Sequence, residues 1–165
     1  INTWLSSNNQ DLSLGRMEAE AMHGLMIAQA GATENAETFF SGFCAGISRN
    51  ESALAYALEL EAMPSVLVGI ISNTNAVHVR WLDEHVPELR SFDLVMMSNE
   101  ISIYKPDPAV FRLALELLDV EAHNALFVDD AATNVAAAQA LGMQGIVHSD
   151  WAITRPRIDA WLEKA

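Results

Sequence analysis

The stretch Phe127-Val128-Asp129-Asp130-Ala131-Ala132-Thr133-Asn134 decides how this chain is read, because a short apolar run there ends in two adjacent carboxylates. Leu126 to Val128 read as a buried strand, and Asn134 to Ala140 as the helix after it. Open α/β sheets bind their ligands at the carboxyl ends of their strands, which is where these two acids fall. Adjacent carboxylates repel, so a pair kept ionised calls for a cation between or beside them. A magnesium site is one reading of Asp129 and Asp130. An Asp N-cap opening the 134–140 helix is the other, and the pair alone does not separate them.

Working outward from the pair, strands and helices alternate from Pro64 onward. Val66-Leu67-Val68-Gly69-Ile70-Ile71 is a continuous β-rich run, as expected of a strand covered on both faces. The pattern predicts helix over 76–89, strand over 94–97 and helix over 107–118. Strand 126–128 and helix 134–140 follow, then strand 145–148 and a last helix over about 154–163. Such alternation implies an α/β fold with a doubly wound parallel sheet. Residues 1–62 read as helical instead, with Met17 to Ala30 stopping at Gly31, a second helix capped at Thr33, and a third opened by Asn50 or Ser52. A boundary near residue 62 therefore separates a helical module from an α/β module spanning 63–165.

Two further strand ends carry chemistry. The first strand stops at Ser72-Asn73-Thr74-Asn75, where a hydroxyl and exposed amides at a helix start suit a phosphoryl oxygen. Ordinary turn and cap chemistry uses the same residue types. Tyr104-Lys105-Pro106-Asp107-Pro108 is the second; its prolines fix the backbone around Lys105, whose ammonium suits a phosphate or a carboxylate cluster. A solvated loop lysine is the plainer account. All three loops follow apolar strands, so they lie on one carboxyl edge and can converge as a phosphate-and-magnesium constellation.

Composition narrows the classes. The chain has 165 residues, half of them apolar, and a net charge of −13. That charge argues against nucleic acid or an anionic membrane surface as partner. No apolar run reaches the roughly 18 residues of a membrane span, and no signal peptide is evident. Cys44 is the single cysteine, so a cytoplasmic setting fits and a buried structural thiol is expected. The five histidines show no ligand spacing, although His78 follows the Ser72 loop closely; Trp4 and Arg16 are candidates to face a substrate from the helical module.

With these motifs in order, residues 66 to about 148 resemble the haloacid dehalogenase superfamily, in particular its sugar-phosphate phosphatases and the phosphatase domain of soluble epoxide hydrolases. Ile70-Ile71-Ser72-Asn73 is similar to the family's second motif, Lys105-Pro106-Asp107-Pro108 to the third, and Phe127-Val128-Asp129-Asp130 to the fourth in its double-Asp form. The resemblance implies a Rossmann-like core with 1–62 as a helical cap. It implies that Ser72 and Asn73 bind the phosphoryl group and that Lys105 neutralises its charge. Asp130 would be the nearest ligand of a Mg2+ cofactor, supported by Asp129. The substrate would be a small phosphorylated metabolite. Dehalogenases of the family typically carry Ser-Asn where this chain has Asp-Asp, which favours phosphatase over dehalogenase.

One motif is missing. The family's Asp-x-Asp, whose first acid is the nucleophile and second the general acid/base, occurs nowhere in the chain. Asp11 is the only Asp before Ser72 and has no apolar strand ahead of it. In the family that motif ends the central strand, so the 66–71 and 126–128 strands are expected to lose a shared neighbour. The chain opens at Ile1 rather than Met, and the expectation is that roughly 40 residues precede it, in the spirit of a coarse alignment. Repair of the sheet by swapping or homodimer formation is the alternative. A non-catalytic phosphate- and metal-binding protein, or a 2-haloacid dehalogenase, are the rival functions.

Overall fold

The computed structural model describes residues 8, 10–31 and 33–164. Four short strands run through its α/β part: β1 (Gly69–Ser72), β2 (Leu94–Met97), β3 (Leu126–Asp129) and β4 (Gln144–Val147). All pairing is parallel. Ser72 lies opposite Met97 in one pair, and Asp129 opposite Val147 in the other. Among the described residues β1–β2 and β3–β4 remain separate two-stranded sheets, with no ladder joining β1 to β3. Side chains bridge them instead.

The helices are α1 (Ala19–Ala30), α2 (Ala36–Cys44), α3 (Glu51–Glu61), α4 (Ala76–His85), α5 (Ser98–Ile101), α6 (Pro108–Leu118), α7 (Ala132–Gln139) and α8 (Trp151–Leu162). Local chemistry sets most of their ends. Gly31 stops α1 in the left-handed region at φ 65°, where glycine carries no Cβ penalty. Asn35, not Thr33, caps α2 by accepting from Thr38 N at 2.9 Å. Helix α4 ends at His85 rather than residue 89, because Pro87 pushes Val86 out of the helical region and a 3-10 turn over Pro87–Ser91 follows. Helix α8 starts earlier than expected because Asp150 Oδ1 accepts from Ala152 N at 2.7 Å; Pro156 is carried inside it.

The main core lies between the strand pairs and the helices that follow them. Met96, Val110, Phe111, Ala114, Phe127, Val135, Ala138 and Met143 form one buried cluster. Phe111 of α6 meets Phe127 of β3 edge-on, ring centres 5.0 Å apart, so α6 ties the first pair to the second. Gly145 permits the close packing of α7 on β4: a Cβ there would lie 2.6 Å from Val135 Cγ1. The helical segment packs on α4, which follows β1, and on β3, β4 and α8. Cys44 of α2 is buried beside Val77 of α4, and burial pushes its thiol pKa up. Tyr56 of α3 packs on Ile146 and Ile158 and donates to Asp159 of α8. No helix among the described residues is long and apolar enough to cross a membrane. Phe111→Ala is expected to cost about 3–5 kcal/mol in denaturant unfolding, since the ring is fully buried and the helix cannot close over the void.

Candidate functional site

Ser72 is the last residue of β1, and its hydroxyl makes no hydrogen bond among the described residues. Asn73, next in the chain, grips the loop after β2 from both sides. Its Nδ2 donates to Lys105 O and its Oδ1 accepts from Lys105 N, each at 2.8 Å. Lys105 precedes a cis peptide bond to Pro106. Its ammonium then reaches the second strand pair, with Nζ 2.7 Å from Asp129 Oδ2. The structure thus brings Ser72, Asn73, Lys105 and Asp129 together along one edge.

The two acids are not equivalent. Asp129 Oδ1 accepts from Ala131 N and Asn134 Nδ2, both at 2.9 Å, while Oδ2 takes Lys105. Burial opposes ionisation of this carboxyl, but the hydrogen bonds from Lys105, Ala131 and Asn134 outweigh it and hold its pKa below the usual range. Asp130 is exposed and makes no such bonds among the described residues. Neither acid caps the following helix, whose N-cap is Ala131 with no side-chain bond, so the capping account of the pair does not hold. The cation beside Asp129 is Lys105.

A magnesium ion fits this donor set only at Asp130. Both oxygens of Asp129 are engaged, and among the described residues no three His, Cys, Asp or Glu side chains converge. Mg2+ needs only one or two protein carboxylates, completed by waters and phosphate oxygens, so a free Asp130 suits it.

Sequence reasoning overlooked Ser98. It is 2% exposed, and its Oγ accepts from Thr74 N at 3.0 Å and donates to Thr74 O at 3.2 Å, fixing the Ser72 loop to β2. Its place after the apolar run Leu94–Met97 was the available signal. Asn99 and Glu100 make no hydrogen bond to Lys105, and Asn99 Oδ1 is buried without a partner among the described residues. Asp11 lies in a helical turn and pairs with Arg16 at 3.4 Å, far from strand-end geometry. His78 meets Asn75 Nδ2 through Nδ1 at 3.3 Å and stacks near Phe43 of α2; burial lowers its pKa. Trp4 lies outside the described residues.

Comparison with known proteins defines the class. Residues 24–142 match the haloacid dehalogenase-like hydrolases, and the chain belongs to that family. It is 30% identical to the sesquiterpene phosphatase astK of Aspergillus oryzae over 138 residues, covering 82% of this chain and 69% of that protein. It is 35% identical to phosphoglycolate phosphatase of Rhodospirillum rubrum over 105 residues, 64% of this chain and 43% of the relative. Of two other curated relatives, mouse acyl-CoA dehydrogenase family member 10 and pig bifunctional epoxide hydrolase 2, the chain spans only 7% and 14% of the length. A haloacid dehalogenase family enzyme from Bacteroides thetaiotaomicron, solved with magnesium and inorganic phosphate, shares the fold at a TM-score of 0.78 and 20% identity. That match covers 87% of this chain and 76% of the other.

The linkage of Asp129 to stability has a definite sign. A folded pKa below the unfolded one gives stabilisation that is full above the unfolded carboxylate range and lost as pH falls through the folded value. Lys105→Met leaves that buried carboxylate unpaired and is expected to cost about 3 kcal/mol near neutrality. In urea unfolding the gap between wild type and variant should be widest near pH 7 and narrow toward acid; a pH-independent gap contradicts it.

Proposed function

We propose that the complete protein is a magnesium-dependent phosphatase for a small phosphate monoester, with sugar phosphates in its range, and that its nucleophilic aspartate lies outside these 165 residues. The observation that carries this reading is the contact between Lys105 Nζ and Asp129 Oδ2 at 2.7 Å, with Asn73 clamping the Lys105 backbone. An ammonium held at that point faces the edge where Ser72 ends its strand. The similarity to two phosphatases supports the reaction class. In this reading residues 1–62 form the cap, 63–165 the core, and the protein works in the cytoplasm.

The chemistry follows from the groups present. The Ser72 hydroxyl and Asn73 hold equatorial phosphoryl oxygens. Lys105 offsets the dianion's charge while Asp129 keeps the ammonium aimed. Asp130 would hold Mg2+, which when bound adds positive charge at the phosphoryl oxygens. An aspartate outside these 165 residues attacks phosphorus, and the alcohol leaves with a proton from the second acid of the Asp-x-Asp motif. Water then attacks the aspartyl-phosphate, giving its proton back to that acid, to release inorganic phosphate and restore the carboxylate. A non-catalytic binding protein is the second reading, favoured by the absence of an Asp-x-Asp sequence from these 165 residues.

A generic aryl phosphate assayed with magnesium separates the two. An N-terminally extended form is expected to turn over while this chain alone stays at background. In the extended form Ser72→Ala and Lys105→Met should each lower kcat about 100-fold or more. Absence of turnover by the extended form across a broad phosphate panel would overturn the phosphatase reading.

A further inference from the structure

Two thirds of the bases of this acidic chain are neutralised locally. Of nine Lys and Arg residues, Arg16, Arg49, Arg80, Arg90, Lys105 and Arg155 each pair with a carboxylate. Arg112, Arg157 and Lys164 have no carboxylate partner among the described residues. With 22 acids present, a cation without a carboxylate partner is the exception. Two of these three line the same recess, together with His123, Gln144, Ala160 and Trp161, around a volume of about 490 Å³. Every polar member can donate a hydrogen bond: the guanidinium fork, the ammonium, the imidazole, the amide and the indole N–H. Glu121 and Glu163, their sequence neighbours, are absent from the lining.

The recess lies away from the catalytic edge. Gln144 opens β4 and pairs with Leu126, the first residue of β3, while Asp129 ends that strand roughly 10 Å further on at ~3.3 Å per residue. Its far wall is the last part of α8, with Arg157, Ala160 and Trp161, and Lys164 in the turn just after it. We propose that this recess is a second binding site, for a small phosphate-bearing anion. Arg157 presents a planar fork matched to phosphate oxygens, and Lys164 adds a mobile point charge. The overall charge of −13 does not forbid this. At physiological salt, charges beyond about 8 Å are largely screened, so cations in contact with the ligand dominate. The carboxyl end of α8 contributes partial negative charge that offsets some of theirs, so affinity in the millimolar range is expected.

The test is a 1H–15N titration of the chain with inorganic phosphate and, separately, pyrophosphate at low ionic strength. Saturable shifts of the Gln144 amide groups and the Trp161 indole are expected, with pyrophosphate binding the tighter of the two. The double variant R157E/K164E should abolish these shifts. R112E, which changes the third unpaired cation outside the recess, should leave them within about twofold. Shifts confined to Ser72–Asn75, Lys105 and Asp129–Asp130 would place the anion only at the catalytic edge and overturn the proposal. Equal weakening by R112E would also overturn it, because the effect would then be a diffuse field rather than a site.

Discussion

The ion pair between Lys105 and Asp129 is the contact on which the functional edge depends. It joins the loop after β2 to the end of β3, and so links strand pairs that share no backbone ladder. Both side chains are nearly buried, at 11% and 7% exposure, where an unpaired charge is costly. The remaining Asp129 oxygen is satisfied by Ala131 N and Asn134 Nδ2, so the carboxylate has little freedom to rotate. Asn73 then transmits this fixed position to the Ser72 loop through two backbone bonds of Lys105. Three segments far apart in sequence become one rigid edge.

The same arrangement divides labour between adjacent acids. Asp129 is an internal counter-ion that orients a lysine, and Asp130 is the carboxylate left facing outward. Repulsion between neighbours is thereby relieved by a protein cation on one side, while the other acid faces outward.

Much of this was legible from the chain alone. Apolar runs bounded by Ser-Asn, Lys-Pro and Asp-Asp signals located the strand ends, since burial and turn chemistry are local properties. Side-chain direction was not legible. The prolines around Lys105 mark it as a partner for a phosphate or a carboxylate cluster without saying which, and the structure sets its ammonium on Asp129, 24 residues away. Boundaries erred where two local rules competed. Asn35 rather than Thr33 took the cap of α2, and Pro156 sits inside α8 because Asp150 had already started that helix. Ser98 escaped notice because a single hydroxyl after a strand has no pattern of its own, although it secures Thr74.

The helical segment has a mechanical consequence. Helix α2 rests on α4, which follows β1, while α3 rests on α8 and β4 through Tyr56. Between them Arg49 bonds Glu51, Glu88 and the His85 carbonyl, pinning the connection to the 3-10 turn. The segment therefore works as a crossbeam with one footing on α4 and the other on α8 and the β3–β4 pair. Loosening either footing loads the other, so the two footings are coupled through the connection that Arg49 pins.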